Sequence, residues 1–251
     1  MIALSVNLNK IALIRNSREG NYPDVVAHGR TCLDAGAHGI TVHPRPDQRH
    51  IRPDDVRSLA ALCAARSVEF NVEGNPFAGP MGSYPGLLPL VFETKPQQCT
   101  LVPDSNDQLT SDHGFDLTRD GERLVPMIQQ LKDAGIRVSL FMDPDKSQIS
   151  LAKEVGADRI ELYTGPFAEA VTNQSGDVEK IFAEHCAAAE HALHLGLGVN
   201  AGHDLNLINL RRYRTLPGLQ EVSIGHALTV DAIQMGLADA TAAYVTCLAG
   251  N

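Results

Sequence analysis

The stretch GITVHPR at residues 39–45 decides the fold of this chain. It begins as a short apolar run with β-branched residues and ends abruptly in His43, with Arg45 two residues later. A continuous apolar run of this length is typical of a strand that is buried on both faces of a parallel sheet. Because ligands bind beyond the carboxyl ends of such strands, the stretch predicts a buried strand that ends at an active site.

The same pattern recurs in five further runs of the sequence. Each begins with apolar residues and ends in side chains that carry protons or bind anions, which random placement of polar residues would rarely produce. The runs are LSVN at 4–7, FNVE at 70–73, RIELYT at 159–164, VNAGH at 199–203 and VSIGH at 222–226.

Strand-like and helix-like segments alternate along the whole chain. Apolar spacing and start signals, such as the Pro-Asp-Asp sequence that begins at residue 53, predict the helices. We expect strands near 3–7, 39–43, 69–73, 98–102, 137–141, 159–163, 198–201 and 221–224. We expect helices near 24–35, 53–65, 86–94, 120–134, 146–155, 178–195, 205–214 and 226–248.

Eight β-α units in a chain of 251 residues match a closed barrel better than an open sheet. The first strand leads into NLNK at 7–10, whereas an open doubly wound sheet usually has a Gly-rich fingerprint there. No interdomain linker or repeat of fixed period interrupts the pattern. We therefore predict the α/β class and one (β/α)8 TIM-barrel domain over residues 1–251.

Composition narrows the classes of partner. The formal net charge of −9 argues against a nucleic-acid or membrane surface, since both favour basic patches. No apolar run is long enough to span a bilayer, and the first residues do not have the pattern of a secretory leader. The five cysteines are widely spaced, which indicates reduced thiols. We expect a cytoplasmic protein with no nucleic-acid or membrane partner.

A barrel of this kind brings the carboxyl ends of its strands to one rim. Residues that are distant in sequence are then neighbours around one mouth. Each alone has an ordinary structural explanation, as a core histidine or a solvated carboxylate, but their joint occurrence points to a site. The predicted rim residues are Asn7, His43, Arg45, Glu73, Glu161, Thr164, His203 and His226.

These residue types suit acid–base chemistry on an anionic substrate. Desolvation at the end of an apolar strand would raise the pKa of Glu73 towards neutrality and make it a plausible general base. His43 and His203 can transfer protons near neutral pH. Arg45 can bind a phosphate or carboxylate with two parallel hydrogen bonds. Residues 225–226 precede a helix, where free backbone N–H groups form a phosphate site.

A metal site is the main chemical alternative. His43, Glu161 and His203 would supply two histidines and one carboxylate. However, no strand has the H-x-H pair common in metal-dependent barrels, and Arg45 places a cation where a second ligand would stand. No G-x-S-x-G nucleophile elbow is present either. We therefore predict that the site holds no metal.

The remaining basic residues near the rim have two explanations each. Arg15 and Arg18 after the first strand are either solvated loop charges or anion contacts. His50 after the second strand is either a surface residue or part of the site. Lys10 lies past a strand end, so we favour a charge contact over an imine-forming amine, which is usually desolvated on a strand.

Together these strings resemble the pyridoxine 5'-phosphate synthase family, in order and over nearly the whole chain. The matching strings are VNLNKIA at 6–12, RNSR at 15–18, GITVHPR at 39–45, RHI at 49–51, ETKP at 93–96, CTLVP at 99–103, VSLF at 138–141, ELYTG at 161–165, VNAGH at 199–203 and IGHA at 224–227. The resemblance implies a homo-oligomeric barrel, typically an octamer, with extra helices and no metal or organic cofactor.

The resemblance also implies a reaction between small phosphorylated substrates. 3-Amino-1-hydroxyacetone 1-phosphate would condense with 1-deoxy-D-xylulose 5-phosphate to give pyridoxine 5'-phosphate, phosphate and water. By the family's pattern, His43 and Glu73 match the proton acceptors and His203 matches the proton donor. Contacts to the aminoketone phosphate match Asn7, Arg18, Gly225 and His226. Contacts to the xylulose phosphate match Asn9, Lys10, Arg45, His50 and Thr110.

Three features depart from the family's pattern. Many members have Asp-His where this chain has Asn9 and Lys10. Asp204 stands where many members have glycine; its backbone N–H can still bind phosphate, but its carboxylate would repel one unless it turns away. Residues 74–86, rich in Gly and Pro, look like an insertion, and this stretch and the one from 103 to 120 are each either a lid or a disordered loop.

Two other functions remain open from the sequence. One is a different phosphosugar lyase or isomerase on the same barrel. The other is a non-catalytic sensor of a phosphorylated ligand. A sensor needs anion sites but no proton carriers, so Glu73, His43 and His203 argue against it.

Overall fold

The computed structural model describes residues 1–250, and its eight strands close into one parallel barrel in chain order. Each strand pairs with the next, and the last pairs with the first. The predicted (β/α)8 barrel and all its predicted strands are confirmed. The strands are β1 (Ala3–Asn7), β2 (Gly39–Val42), β3 (Glu69–Gly74), β4 (Gln98–Leu101), β5 (Arg137–Met142), β6 (Arg159–Leu162), β7 (Gly198–His203) and β8 (Leu219–Ile224).

Residues 1–250 form eleven helices, of which two were not expected from the sequence. The unexpected helices follow β1 and β6. The helices are α1 (Asn9–Asn16), α2 (Val25–Asp34), α3 (Pro53–Arg66), α4 (Leu87–Thr94), α5 (Leu117–Asp133), α6 (Lys146–Glu154), α7 (Gly165–Thr172), α8 (Val178–His194), α9 (Leu210–Tyr213), α10 (His226–Met235) and α11 (Leu237–Ala249).

Two helix predictions need correction. The single helix expected over 226–248 is two helices, because Gly236 takes φ +83° and ends α10. That left-handed conformation is readily adopted by glycine and breaks the helical hydrogen-bond pattern. The helix expected over 205–214 is reduced to the short α9, preceded by turns in which Asn209 and Asn206 hydrogen-bond each other's backbone. Asparagine side chains favour such turns over helix interiors.

The strands are apolar towards the helices and polar towards the barrel axis. On β1, Leu4 and Val6 are buried in the hydrophobic core, whereas the Ser5 hydroxyl meets that of Thr41 at 2.6 Å. Gln98 on β4 hydrogen-bonds Glu221 on β8 and Asn200 on β7, both at 3.4 Å. Since β4 is not a neighbour of β7 or β8 in the barrel, these bonds cross its interior. The polar side chains inside the barrel thus form a polar column, which extends to the cavity at the carboxyl ends of the strands.

Helix α1 fixes the loop that follows β2. Arg15 on α1 is buried, forms an ion pair with Asp55 at 2.5 Å and donates to the carbonyl of His50 at 3.0 Å. The Asn16 side chain donates to the same carbonyl at 2.8 Å. Arg15 is therefore a structural residue, whereas Arg18 is exposed.

The two stretches considered as lids, 74–86 and 103–120, contact each other. Residues 75–86 contain a small bridge between Met81 and Tyr84, and Asn75 donates to the carbonyl of Asp104 at 2.7 Å. All five cysteines are unpaired thiols, and four of them are buried. Within residues 1–250, no helix is long and apolar enough to cross a membrane.

Candidate active site

One cavity of about 330 Å³ opens at the carboxyl ends of the strands. All the predicted catalytic and substrate-binding residues line it, except Arg18. A second cavity, of about 450 Å³, shares His203, Asp204 and His226 with the first. The predicted residues in the first cavity are Asn7, Asn9, Lys10, His43, Arg45, His50, Glu73, Thr110, His203, Asp204, Gly225 and His226.

Glu73 projects from the end of β3 into the polar column. Its two carboxyl oxygens lie 3.4 Å from the side-chain amide nitrogen of Asn7 and 3.5 Å from that of Asn71. Burial, followed by the nearby carboxylate of Glu161, raises the pKa of Glu73 well above its usual value. The predicted direction of this pKa shift is confirmed.

Glu161 is a second buried carboxyl group in the same cavity. Burial and the charge of Glu221 raise its pKa to about 8. Two neighbouring carboxyl groups in a poorly solvated space resist ionising together. Burial and mutual repulsion thus favour the protonated form of these carboxyl groups.

His43 is buried beside this floor and is neutral. Burial, with the charges of Arg45 and Arg49, lowers the pKa of His43 well below its usual value. Its backbone N–H donates to the side-chain oxygen of Asn9 at 2.9 Å, and the Asn9 N–H donates to Asn7 at 2.9 Å. The Asn9 side-chain oxygen thus supports the end of β2, whichever substrate contact it also makes.

Two arginines after β2 hold the segment that follows β4. Arg45 is buried, forms an ion pair with Asp104 and donates to the carbonyls of Ser105 and Gln108, each at 3.2 Å. Arg49 donates to the Gln108 carbonyl at 2.7 Å. The forked guanidinium groups suit this multiple contact. An arriving phosphate would compete with these carbonyls for the same donors.

His50 and Gly225 are fixed by close backbone contacts. The Nδ1 atom of His50 accepts from the Ile51 N–H at 3.0 Å, and burial, with the nearby charge of Arg45, lowers the pKa of His50 to about 2. A Cβ atom on Gly225 would lie 3.0 Å from the carbonyl oxygen of Asn7. Glycine therefore lets the first turn of α10, with its free N–H groups, approach β1.

His203 lies at the end of β7 between two side chains. Its Nδ1 is 2.7 Å from an Asp204 carboxyl oxygen, and its Nε2 is 2.6 Å from the Thr110 hydroxyl. The Asp204 carboxylate is thus turned towards the imidazole. In this orientation it can lie close to a bound phosphate, because its charge points away from the phosphate. The Asp204 N–H lies 3.4 Å from the Thr164 hydroxyl.

A metal site was the main chemical alternative for these residues. Among residues 1–250, no group of three or more His, Cys, Asp or Glu side chains is arranged to hold a metal ion. His43, Glu161 and His203 accordingly do not form the metal site that was considered as an alternative.

Several lining residues were not among the predicted catalytic or substrate-binding residues. Glu161 is placed at the rim by the sequence and considered there only as a metal ligand, and Arg49 is quoted only as part of a matching string. Ser111 donates to Asp104 at 2.7 Å and lies in an irregular segment where spacing gives no signal. The other missed residues are Leu13, Val102, Leu109, Phe141 and Ser223.

Solved structures of low sequence identity have the same fold. A thiamine phosphate pyrophosphorylase from Pyrococcus furiosus covers 99% of this chain and 96% of its own length, with a TM-score of 0.61 and 13% identity. A Mycobacterium tuberculosis tryptophan synthase structure covers 99% of this chain and 92% of its own, with a TM-score of 0.65 and 14% identity. At these identities the likeness concerns the fold alone.

Sequence comparison gives a closer relationship. A protein named pyridoxine 5'-phosphate synthase from Xanthomonas campestris pv. campestris (strain B100) is 56% identical over 249 residues, 99% of this chain and 96% of the relative. Another of that name, from Xylella fastidiosa (strain 9a5c), is 53% identical over 98% of this chain and 94% of its own. The family model "Pyridoxal phosphate biosynthesis protein PdxJ" matches residues 4–250. The chain therefore belongs to the PdxJ family.

Proposed function

We propose that this chain is a pyridoxine 5'-phosphate synthase. It condenses 3-amino-1-hydroxyacetone 1-phosphate with 1-deoxy-D-xylulose 5-phosphate and releases inorganic phosphate and water. The full-length relatives of that name support the reaction. The observation that carries it is a buried Glu73, whose pKa is raised by burial, in the floor of a cavity that three cationic side chains line, namely Lys10, Arg45 and Arg49.

The cavity suits two phosphorylated substrates. Gly225 follows β8 and Arg45 follows β2, and these strands are the two neighbours of β1 in the barrel. The anion sites therefore flank Asn7 at the end of β1. A volume of about 330 Å³ lies within the usual range for a small-molecule site. We assign the aminoketone phosphate to Gly225 and His226, and the xylulose phosphate to Arg45 and His50.

The amine of one substrate attacks the ketone of the other, so the imine forms between the substrates and needs no enzyme lysine. Glu73 first donates its proton to the departing hydroxyl group as water is lost. The cationic imine that results lowers the pKa of Glu73 by charge attraction. The carboxylate can then accept a proton during the later dehydration and ring closure.

The two histidines take different tasks because their environments differ. His43 is neutral, so it can accept a proton when the substrate loses phosphate. His203 is only partly buried and is hydrogen-bonded to the Asp204 carboxylate through Nδ1, which leaves Nε2 as the atom that can pass a proton to the substrate. His203 therefore donates a proton to a leaving or carbonyl oxygen. Arg18 is exposed and outside the cavity, and its contact with the aminoketone phosphate stays a prediction.

We also propose a single barrel domain over residues 1–251, a homo-oligomeric assembly and a cytoplasmic location. Exposed apolar side chains on α1 and α10, among them Ile14 and Ile233, favour a homo-oligomer, and we expect an octamer. Light scattering after size exclusion measures the number of subunits. The unpaired thiols favour a cytoplasmic location, which cell fractionation tests.

The purified chain should be assayed with both substrates together and with each alone. The proposal predicts one free phosphate for each pyridoxine 5'-phosphate formed, and neither product when one substrate is omitted. Conversion of a single phosphosugar would identify a lyase or isomerase instead. Binding of both substrates without any turnover would identify a sensor.

A further inference from the structure

Asp204, His203 and Thr110 form a continuous hydrogen-bonded chain at the mouth of the cavity. The Asp204 carboxylate can only accept, so the Nδ1 atom of His203, 2.7 Å away, donates to it. In the neutral ring, the Nε2 atom is then the acceptor and takes the hydrogen of the Thr110 hydroxyl at 2.6 Å. The contact thus selects one tautomer and points Nε2 away from Asp204 and towards Thr110, which lines the cavity.

The backbone around this pair is held in an unusual conformation. His203 has φ +66°, in the left-handed region that costs a non-glycine residue about 1 kcal/mol or more. Gly202 before it has no room for a side chain, because a Cβ would lie 2.5 Å from the carbonyl oxygen of Ser223. The Asn209 amide donates to the Asp204 carbonyl at 3.1 Å. The position of both side chains is therefore built in rather than left to a flexible loop.

The ring of His203 is also supported on its face. Tyr163 packs against it edge-on, with ring centroids 5.9 Å apart. The same pair of residue types, Asp112 and His113, occurs in the segment after β4 at 2.6 Å, but both of these side chains are more than half exposed and neither lines the cavity. Of these two pairs, only the one at 203–204 lines the cavity.

We propose that Asp204 is a positioning residue that acts through His203, on the basis of the reaction proposed above. It keeps the Nδ1–H tautomer and aims Nε2 into the cavity. The Nε2–H proton passes to a substrate oxygen that leaves as water. The ring becomes neutral while its Nδ1–H remains hydrogen-bonded to Asp204, and solvent returns a proton to Nε2. Asp204 itself stays ionised throughout, as in acid–base pairs of this kind.

Other charges around the pair limit the size of the effect. Lys10 from α1 and His226 from α10 face Asp204, and His43 from the end of β2 faces His203. The Asp204 side chain is 38% exposed, so solvent screens its charge in part. We therefore expect a moderate loss from its removal, smaller than the loss from removing His203 itself.

The test compares Asp204→Ala and Asp204→Asn in the two-substrate assay. The alanine variant should lose about tenfold to a hundredfold in kcat, as for other supporting hydrogen-bond partners, with KM changed by less than about threefold. The asparagine oxygen still accepts from Nδ1–H, so this variant should recover part of kcat.

Two further measurements separate a positioning role from a general structural one. In a His203→Asn background, Asp204→Ala should cause almost no further loss, because residues that act as one unit are not additive. Nitrogen NMR of the unliganded protein should show the Nδ1–H tautomer of His203 in the wild type and a mixture in Asp204→Ala. Asp112→Asn, at the exposed pair, should leave kcat and the tautomer of His203 unchanged.

Additive losses in the double variant, or a rise in KM with unchanged kcat, would overturn the inference. So would an unchanged tautomer of His203 in Asp204→Ala. If the wild type itself makes no pyridoxine 5'-phosphate, the proposed function fails instead. The NMR comparison still decides the role of Asp204 in that case, because it needs no substrate.

Discussion

Replacing Glu161 by glutamine (Glu161→Gln) should stabilise the protein by an amount that grows with pH. Burial, then the charge of Glu221, raises the pKa of Glu161 from the ordinary 4.5 to about 8. Above pH 4.5 the unfolded chain releases this proton while the folded protein keeps it. Because the folded state then binds more protons, its stability falls as pH rises through this window. Glutamine has no such proton to keep.

The magnitude follows from the width of the window. Each pH unit between the two pKa values costs about 1.4 kcal/mol of stability. From pH 5 to pH 8, the wild type loses about 3–4 kcal/mol at this position that the glutamine variant does not lose. A buried amide N–H without a partner would cost the variant about 1 kcal/mol or more, but equally at every pH. The difference between the two pH values is therefore the quantity to measure.

Urea unfolding at pH 5 and pH 8, at one protein concentration, measures this difference. We expect the stability of Glu161→Gln relative to the wild type to rise by about 3 kcal/mol between these pH values. Glu122→Gln, at an exposed site on α5, should show no such rise. A pH-independent difference between Glu161→Gln and the wild type would refute the reasoning, since Glu161 would then ionise like a solvated carboxyl group.

Two further substitutions test the contacts that shape the site. Gly225→Ala would place a Cβ 3.0 Å from the Asn7 carbonyl oxygen, so it should weaken the binding of inorganic phosphate about tenfold in calorimetry. The control is Gly176→Ala, where nothing lies within 4 Å of the added Cβ. Equal phosphate affinities in the two variants would contradict the placement of α10. Arg15→Ala leaves Asp55 without its buried partner and should lower the free energy of unfolding in urea by about 3 kcal/mol. The control, Arg30→Ala at an exposed site, should lower it by less than about 0.5 kcal/mol. A similar small loss of stability in both variants would contradict the structural role of Arg15.

The barrel could be predicted because its strands are marked twice, by apolar runs and by the polar residues that end them. The two helices that were not predicted, α1 and α7, each lack one clear sequence signal for a helix. In α1, Ile11 and Ala12 are buried but Leu13 and Ile14 are exposed, so apolar spacing does not define one face. In α7, the opening Gly165–Pro166 was not taken as a helix, although proline is common in the first turn.

The site residues at strand ends could be predicted for the same reason, since a parallel barrel gathers them without further information. Contacts between distant loops could not. Arg15 is buried because Asp55, 40 residues away in the chain, faces it. Asp104 and Ser105 take up Arg45 through a segment of irregular conformation. The direction of the Asp204 side chain depends on the φ of its neighbour, which the sequence does not specify.

Glu73→Gln in the two-substrate assay tests the central claim most directly, because the amide keeps the shape of the neutral acid and cannot carry its proton. The account predicts that kcat falls by a factor of about 10²–10⁴, while the binding of inorganic phosphate and the unfolding transition stay close to the wild type. Formation of pyridoxine 5'-phosphate at a rate near that of the wild type would contradict it.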